Sequence, residues 1–408
     1  MRYIRLIQPP HVVLQDGRPR IKCKVTVTND LGDSFCPVDL DLVLFIRRVN
    51  DAEIFFDQRI VESWKGTRGM RVLTFEFEPS REMINAPQGV SIVVAAILPR
   101  HKSVAADTHA FPKDSKNLLP GSSGLGLDKD MVYVMGVQSA QLLIKTGCRA
   151  SNELSRRDFW LADDTIMHIW ESSGSHNIES HIWDAGLATI AFLNNEIAKK
   201  RRKRLHRRKE SRSEHEQHNV SILELGCGVG LVGTFLARMF PNFKVTTTDR
   251  PEASPLATTN ISSNSTTTNI SFHPLPWGTP LPPTLSQPYN LILATDCTYN
   301  PDTFPLLLNS LSQLAETSPN VLVFIASKTR HVGEAVFDGM MGDGGWVVRK
   351  RWIRYMPWEF GNGGRIAGEC EEEDEGGREK CVFTYWVRGV EGAEGRMELG
   401  ELGDILGV

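Results

Sequence analysis

The hydrophobic period of this chain changes part-way along. Residues 21–28, Ile-Lys-Cys-Lys-Val-Thr-Val-Thr, alternate without a break and place Ile21, Cys23, Val25 and Val27 on one face, the pattern of a half-buried strand. Leu40–Ile46, Val72–Phe77 and Val90–Leu98 read as further strands, with Asp16-Gly17 and Asn29-Asp30 as turn signals. Residues 1–111 therefore predict a β-rich accessory domain, a small antiparallel sandwich or half-barrel. Residues 112–130 hold Pro112, Pro120, Gly121, Gly124 and Gly126 and read as a linker. Met131–Lys145 is apolar enough for a helix, and Asn152–Leu161 predicts a second one opened by Ser151. Residues 131–180 are thus expected to form a helical lead-in.

From residue 181 the pattern is different. Leu187, Ile190, Ala191 and Leu193 mark one face of a helix. Strands are then expected at 221–225, 244–248, 270–274, 289–294 and 321–326, with a helix at 229–239. Trp346–Trp352 and Cys381–Arg388 complete the set. Repeated strand–helix alternation predicts an α/β fold: a Rossmann-like, doubly wound, seven-stranded sheet over residues 181–390, behind the mainly-β N-terminal domain. The last two strands lack a helical crossover and fit a terminal antiparallel hairpin. A C-terminal tail, 391–408, follows.

Two charged runs interrupt this second region. Lys199–Lys209 has nine Lys or Arg in eleven residues and opens a basic insertion, 199–218. Because it precedes the first strand, it belongs at the edge opposite the strand C-termini. It reads as a solvated charge run, or as a nuclear-import or acidic-partner segment. Glu369–Glu375, in an acidic insertion at 369–377, reads as a disordered connection or as an attractant for a basic protein substrate.

Composition narrows the class. At 408 residues, roughly two domains are expected. A net charge of −3 gives no sign of direct nucleic-acid binding. The seven cysteines include no CxxC and no zinc spacing, so no metal is expected and the thiols read as reduced. The N-terminus has no apolar core of signal-peptide length, and no run of about 18 apolar residues could span a membrane. The expectation is a soluble protein of the cytoplasm, the nucleus or both, of unassigned oligomeric state.

The most informative stretch is Ser221–Gly233, Ser-Ile-Leu-Glu-Leu-Gly-Cys-Gly-Val-Gly-Leu-Val-Gly. A short buried strand turns through Gly226, Cys227 and Gly228 into a helix. Side-chain-free positions there let a ligand touch backbone. Lys244-Val-Thr-Thr-Thr-Asp249 is a strand that ends in a carboxylate, 21 residues after Gly228. Such an Asp accepts hydrogen bonds from ribose hydroxyls. These features alone leave both NAD and S-adenosylmethionine open.

The combination of blocks narrows the choice. Glu224-Leu-Gly-Cys-Gly-Val-Gly230 resembles the first motif of class I, seven-strand methyltransferases. His181-Ile-Trp-Asp-Ala-Gly186, Thr248-Asp-Arg-Pro251, Leu275-Pro-Trp-Gly278, Asn290-Leu-Ile-Leu-Ala-Thr-Asp-Cys-Thr-Tyr299 and Ala326-Ser-Lys-Thr-Arg330 follow the order of the protein-lysine methyltransferase-like group, methyltransferase family 16. The resemblance covers roughly residues 165–390. It implies an S-adenosyl-L-methionine cofactor, with Trp183 lining its pocket and Gly226, Cys227 and Gly228 contacting it through backbone. It places Asp249 on the ribose and Trp277 near the adenine, and lets the Thr295 backbone touch the cofactor. An Asp-x-x-Tyr block at Asp296–Tyr299 is associated in that family with lysine acceptors.

The chemistry of that block agrees. Methyl transfer from a sulfonium needs an oriented, neutral amine in a dry pocket. Asp296 can orient the amine and take up a proton directly or through water. Tyr299 can supply an aromatic wall and a second acceptor. Lys328 and Arg330 read equally as substrate contacts or sheet-edge residues, and Tyr355, Trp358 and Glu359 as loose acceptor-pocket candidates. A protein-lysine N-methyltransferase with a protein substrate, a basic one if the acidic insertion serves as its attractant, is the reading carried forward. Histidine, arginine or a small amine as acceptor stays open, because Asn300 and Pro301 follow the Tyr. A non-catalytic cofactor-binding scaffold is the other alternative. An NAD oxidoreductase would lack an evident hydride-transfer acid/base pair.

Overall fold

The computed structural model describes residues 1–49, 55–97, 134–145, 147–150, 152–163, 165–172, 177–206, 220–264, 269–330, 332–355 and 380–389. It divides into two compact units. One comprises Met1–Leu118, Gly126–Phe159 and His168–Asn177, the other Leu119–Leu125, Trp160–Met167 and Ile178–Val408. The sequence-based linker at 112–130, the acidic insertion, the C-terminal tail, Trp358 and Glu359 fall outside the described residues.

The N-terminal part is built from β1 (Arg2–Leu6), β2 (His11–Gln15), β3 (Arg18–Thr28), β4 (Asp39–Arg48), β5 (Phe55–Lys65), β6 (Leu73–Phe77), the short helix α1 (Arg81–Ile84), β7 (Val90–Ile97), β8 (Val134–Met135), β9 (Val137–Ser139), β10 (Leu154–Trp160) and β11 (Ile166–Ser172). One sheet runs β2-β3-β1-β8 with β6 also on β3, and the other β11-β10-β9-β7-β4-β5. The alternation at 21–28 does what its period predicts. Ile21, Cys23, Val25 and Val27 face a core shared with Leu42, Leu44 and Ile46 of the second sheet and Trp64. The layering is the expected sandwich, but β1 and β8 pair in parallel, so it is not wholly antiparallel.

The helical lead-in at 131–180 is corrected: the regular elements among its described residues are the strands β8, β9, β10 and β11, with one 3-10 turn at Ile178–Ser180. The reason is a pair of buried charges. In β10 the inward residues are Ser155, Arg157 and Phe159, and in β11 they are Met167, Ile169 and Glu171. Arg157 Nε bonds Glu171 Oε1, with both side chains essentially inaccessible. The same guanidinium donates to the carbonyls of Gly136, Ile4 and Met135. A charge at a core position breaks the apolar alternation that marks a strand.

The second unit has α2 (Asp184–His206), β12 (Ser221–Leu225), α3 (Leu231–Met239), β13 (Lys244–Asp249), α4 (Ser254–Asn264), β14 (Ile270–Pro274), β15 (Leu291–Thr295), α5 (Phe304–Thr317), β16 (Leu322–Lys328), α6 (Val336–Asp343), β17 (Trp346–Tyr355) and β18 (Lys380–Arg388). Its seven strands run β14-β13-β12-β15-β16-β18-β17. The first five are parallel to one another; β18 is antiparallel to both β16 and β17. This is the Rossmann-like, doubly wound seven-stranded sheet expected from the β–α alternation, with the hairpin at its end. Phe324, Trp352, Phe383 and Tyr385 pack on one another across β16, β17 and β18, and Phe192 of α2 joins them. The basic run begins as the last turns of α2 rather than as an irregular segment, and residues 207–218 lie outside the described set.

Candidate functional site

The order of this sheet reverses at β12, which has β13 on one side and β15 on the other. In an open α/β sheet the crevice beyond the strand C-termini at such a point is the ligand site. Four exits meet there: those of β12, β13, β15 and β16.

The exit of β12 is a chain of left-handed glycines, with φ of 66° at Gly226, 53° at Gly228 and 78° at Gly230. A Cβ on Gly226 would stand 2.6 Å from Cys297 Sγ and 3.0 Å from Trp277 Cζ2. Both conformation and space therefore demand glycine at 226. The loop is also tied internally. Cys227 N donates to Thr248 O at 3.0 Å, and Gly228 N donates to Asp249 Oδ2 at 2.7 Å. Beneath it lies Glu224, buried, with Oε2 accepting from Gly233 N at 3.0 Å. Burial pushes this carboxyl up to about 8.

At the exit of β13, Asp249 Oδ1 accepts the N–H of Arg250 at 2.7 Å. Each of its oxygens thus holds one backbone donor. A carboxylate offers about four acceptor positions, so this one retains capacity for the two hydroxyls of a ribose. Burial raises its pKa, opposed by the Gly228 and Arg250 N–H groups. The donor set and the glycine-only cradle both fit a nucleoside-bearing cofactor. Arg250 reaches Glu179, 3.0 Å away and largely buried. The segment holding Glu179 and His181 crosses the glycine loop, since the Glu179 carbonyl would lie 3.5 Å from a Cβ on Gly228. Trp183 ends this segment, half-buried, with Nε1 donating to Ile178 O at 2.9 Å. Trp277 is half-buried and packs on the core beside Gly226.

At the exit of β15, half-buried Thr295 leads into Asp296, which is buried and has φ 55°. Asp is among the few residues that tolerate this region, and hydrogen bonds hold its carboxylate, among them one from the Lys328 N–H to Oδ1 at 3.4 Å. Oδ2 accepts the N–H of Ala185, in the first turn of α2, at 2.6 Å. Oδ1 accepts from Arg330 Nη2 at 3.2 Å. Cys297 turns inward against the glycine loop, with Sγ 3.2 Å from Leu225 O. Tyr299 is 39% exposed, and partial burial raises its phenol pKa.

All nine site residues named from the sequence lie on this second unit, at or next to these strand exits. Lys328 does not lie at an exposed sheet edge: it is buried, with Nζ 2.8 Å from Asp184 Oδ2. Glu179, Arg250 and Cys297 were not singled out from the sequence. Arg250 follows Asp249 directly, which is a usable signal; Glu179 carries none.

The lysine methyltransferase family model matches residues 161–343. Protein N-lysine methyltransferase METTL21A of Xenopus tropicalis is 30% identical over 179 residues, 43% of this chain and 71% of that protein. The chain belongs to the lysine methyltransferase family. It is therefore an S-adenosylmethionine-dependent methyltransferase by family. A UPF0665 family protein of Schizosaccharomyces pombe is 24% identical over 341 residues, 82% of this chain and 91% of that one, so that similarity extends well beyond the methyltransferase region. Among solved structures, the precorrin-6y C5,15-methyltransferase of Geobacter metallireducens is 10% identical and covers 42% of this chain and 82% of that one, with a TM-score of 0.30.

Proposed function

We propose that this chain transfers a methyl group from S-adenosylmethionine to the side-chain amine of a lysine in a protein substrate. The observation that carries the reading is the seating of the Asp296–Tyr299 segment against the glycine loop through Cys297. A cofactor cradle and an acceptor block on neighbouring parallel strands share one crevice. Similarity to the N-lysine methyltransferase of Xenopus tropicalis supports the lysine acceptor.

The residues divide the work. Asp249 would hold the ribose hydroxyls, the backbone of Gly226–Gly228 would meet the cofactor closely, and Trp183, Trp277 and the Thr295 backbone would line its pocket. The bound cofactor supplies an electrophilic methyl on a sulfonium sulfur. The lysine must present a lone pair, so it attacks as a neutral amine. Tyr299 gives it an aromatic wall and a phenol oxygen as acceptor. Asp296 orients the amine from one side. Its oxygens already accept from Ala185 and Arg330, which makes it an anchor rather than a mobile base, and the amine proton leaves to water.

The test is transfer of a tritiated methyl group to proteins of a cell lysate, followed by amino-acid analysis of the labelled bands. Methyl-lysine in one or a few bands supports the reading. Methyl-histidine, methyl-arginine or a labelled small molecule would replace the acceptor, and no transfer with intact cofactor binding would make the chain a scaffold.

A further inference from the structure

Resting on this reading of the acceptor site, we propose that Arg330 is a positioning residue that ties its cofactor side to its acceptor side. The guanidinium lies between two groups from separate segments. Nη2 donates to Asp296 Oδ1 at 3.2 Å, and the guanidinium carbon stands 5.5 Å from the centre of the Trp183 ring. Trp183 belongs to the segment that crosses the glycine loop, and Asp296 to the exit of β15. Trp183 and Asp296 are 113 positions apart, and one planar side chain from the exit of β16 meets both.

The contact has work to do at each end. Asp296 occupies the left-handed region at φ 55°, a conformation that persists only where neighbours hold it. Ala185 N–H fixes one oxygen, and Arg330 together with the Lys328 N–H fixes the other. The Arg330 and Asp296 side chains are only 12% and 6% exposed, so water competes little for either. Trp183 is fixed at its edge by the carbonyl of Ile178 and on its face by the guanidinium. Beside this pair, Lys328 and Asp184 form a second buried ion pair. Lys328 holds the first residue of α2 and Arg330 holds the carboxylate that caps that helix. Arginine suits the place because it can donate from its edge while its plane lies against an aromatic ring. Lysine would keep the charge without the planar contact.

The test uses the full chain as wild type, Arg330→Lys and Arg330→Met. It reads S-adenosylhomocysteine affinity by calorimetry and tritiated-methyl transfer to lysate proteins at saturating cofactor. Affinity should stay within about threefold of wild type in both variants, while transfer falls by at least about tenfold in Arg330→Met and is partly regained in Arg330→Lys. If the methionine variant does not fold, Arg330→Lys still decides, because it should transfer more slowly than wild type at equal cofactor affinity. Wild-type transfer by either folded variant would overturn the inference, as would losses in cofactor affinity that match the losses in transfer. Failure of the proposed function shows separately, as a wild-type chain that binds no S-adenosylhomocysteine or labels nothing.

Discussion

Gly228 donates its backbone N–H to Asp249 Oδ2 at 2.7 Å. The bond joins the exits of β12 and β13 and holds the carboxylate against the glycine loop. Asp249→Ala should weaken S-adenosylhomocysteine binding by about 3 kcal/mol, roughly 100-fold, through loss of two charge-assisted hydrogen bonds. Calorimetry measures this directly. Unchanged affinity would remove Asp249 from the cofactor site.

Glu224 makes stability depend on pH. Its carboxyl is raised from 4.5 to about 8, with burial the largest cause and the charge of Asp249 adding to it. Between those values the folded chain holds a proton that the unfolded chain has released. Stability from this group is therefore present at low pH and falls as pH rises through the window, by at most about 1.4 kcal/mol per pH unit. Glu224→Gln should flatten that slope in urea denaturation across the same range. Parallel slopes in the two proteins would mean that Glu224 is ionised when folded.

Asp296 combines a left-handed backbone with a buried ion pair, and two substitutions separate these roles. Asp296→Asn keeps a residue that tolerates φ 55° and an oxygen for Ala185 N–H. It should retain the fold and cofactor binding but lose methyl transfer. Asp296→Ala removes the buried carboxylate paired with Arg330 and adds backbone strain, for a loss of about 3–5 kcal/mol. Full methyl transfer by Asp296→Asn would rule out a role for the carboxylate charge.

In the N-terminal sandwich, Arg157→Met should cost about 3–5 kcal/mol, because it removes the buried cation bonded to the Glu171 carboxylate. Combining it with Glu171→Leu should recover a large part of that loss. Guanidinium denaturation of the single and double variants gives the coupling, and a double variant no more stable than Arg157→Met would show that the bonds to the three carbonyls dominate.

Local pattern carried much of the design. The β–α alternation from residue 182 onward, the glycines at 226, 228 and 230, and the acidic end of β13 were all legible, because each follows from short-range rules of period, turn geometry and strand length. The alternation at 21–28 was legible for the same reason. Three things were not. Arg157 and Glu171 sit at core positions of adjacent strands, and their mutual neutralisation is invisible until the strands pair, so β10 and β11 read as something else. Lys328 read equally as a substrate contact or a sheet-edge residue, and it is buried against Asp184. The meeting of Trp183, Asp296 and Arg330 depends on three chain segments converging at one end of the sheet. A charged residue reads as exposed along the chain, because lone charges belong in water. Folding supplies the partner, and the partner makes burial affordable at the places where the chemistry is set.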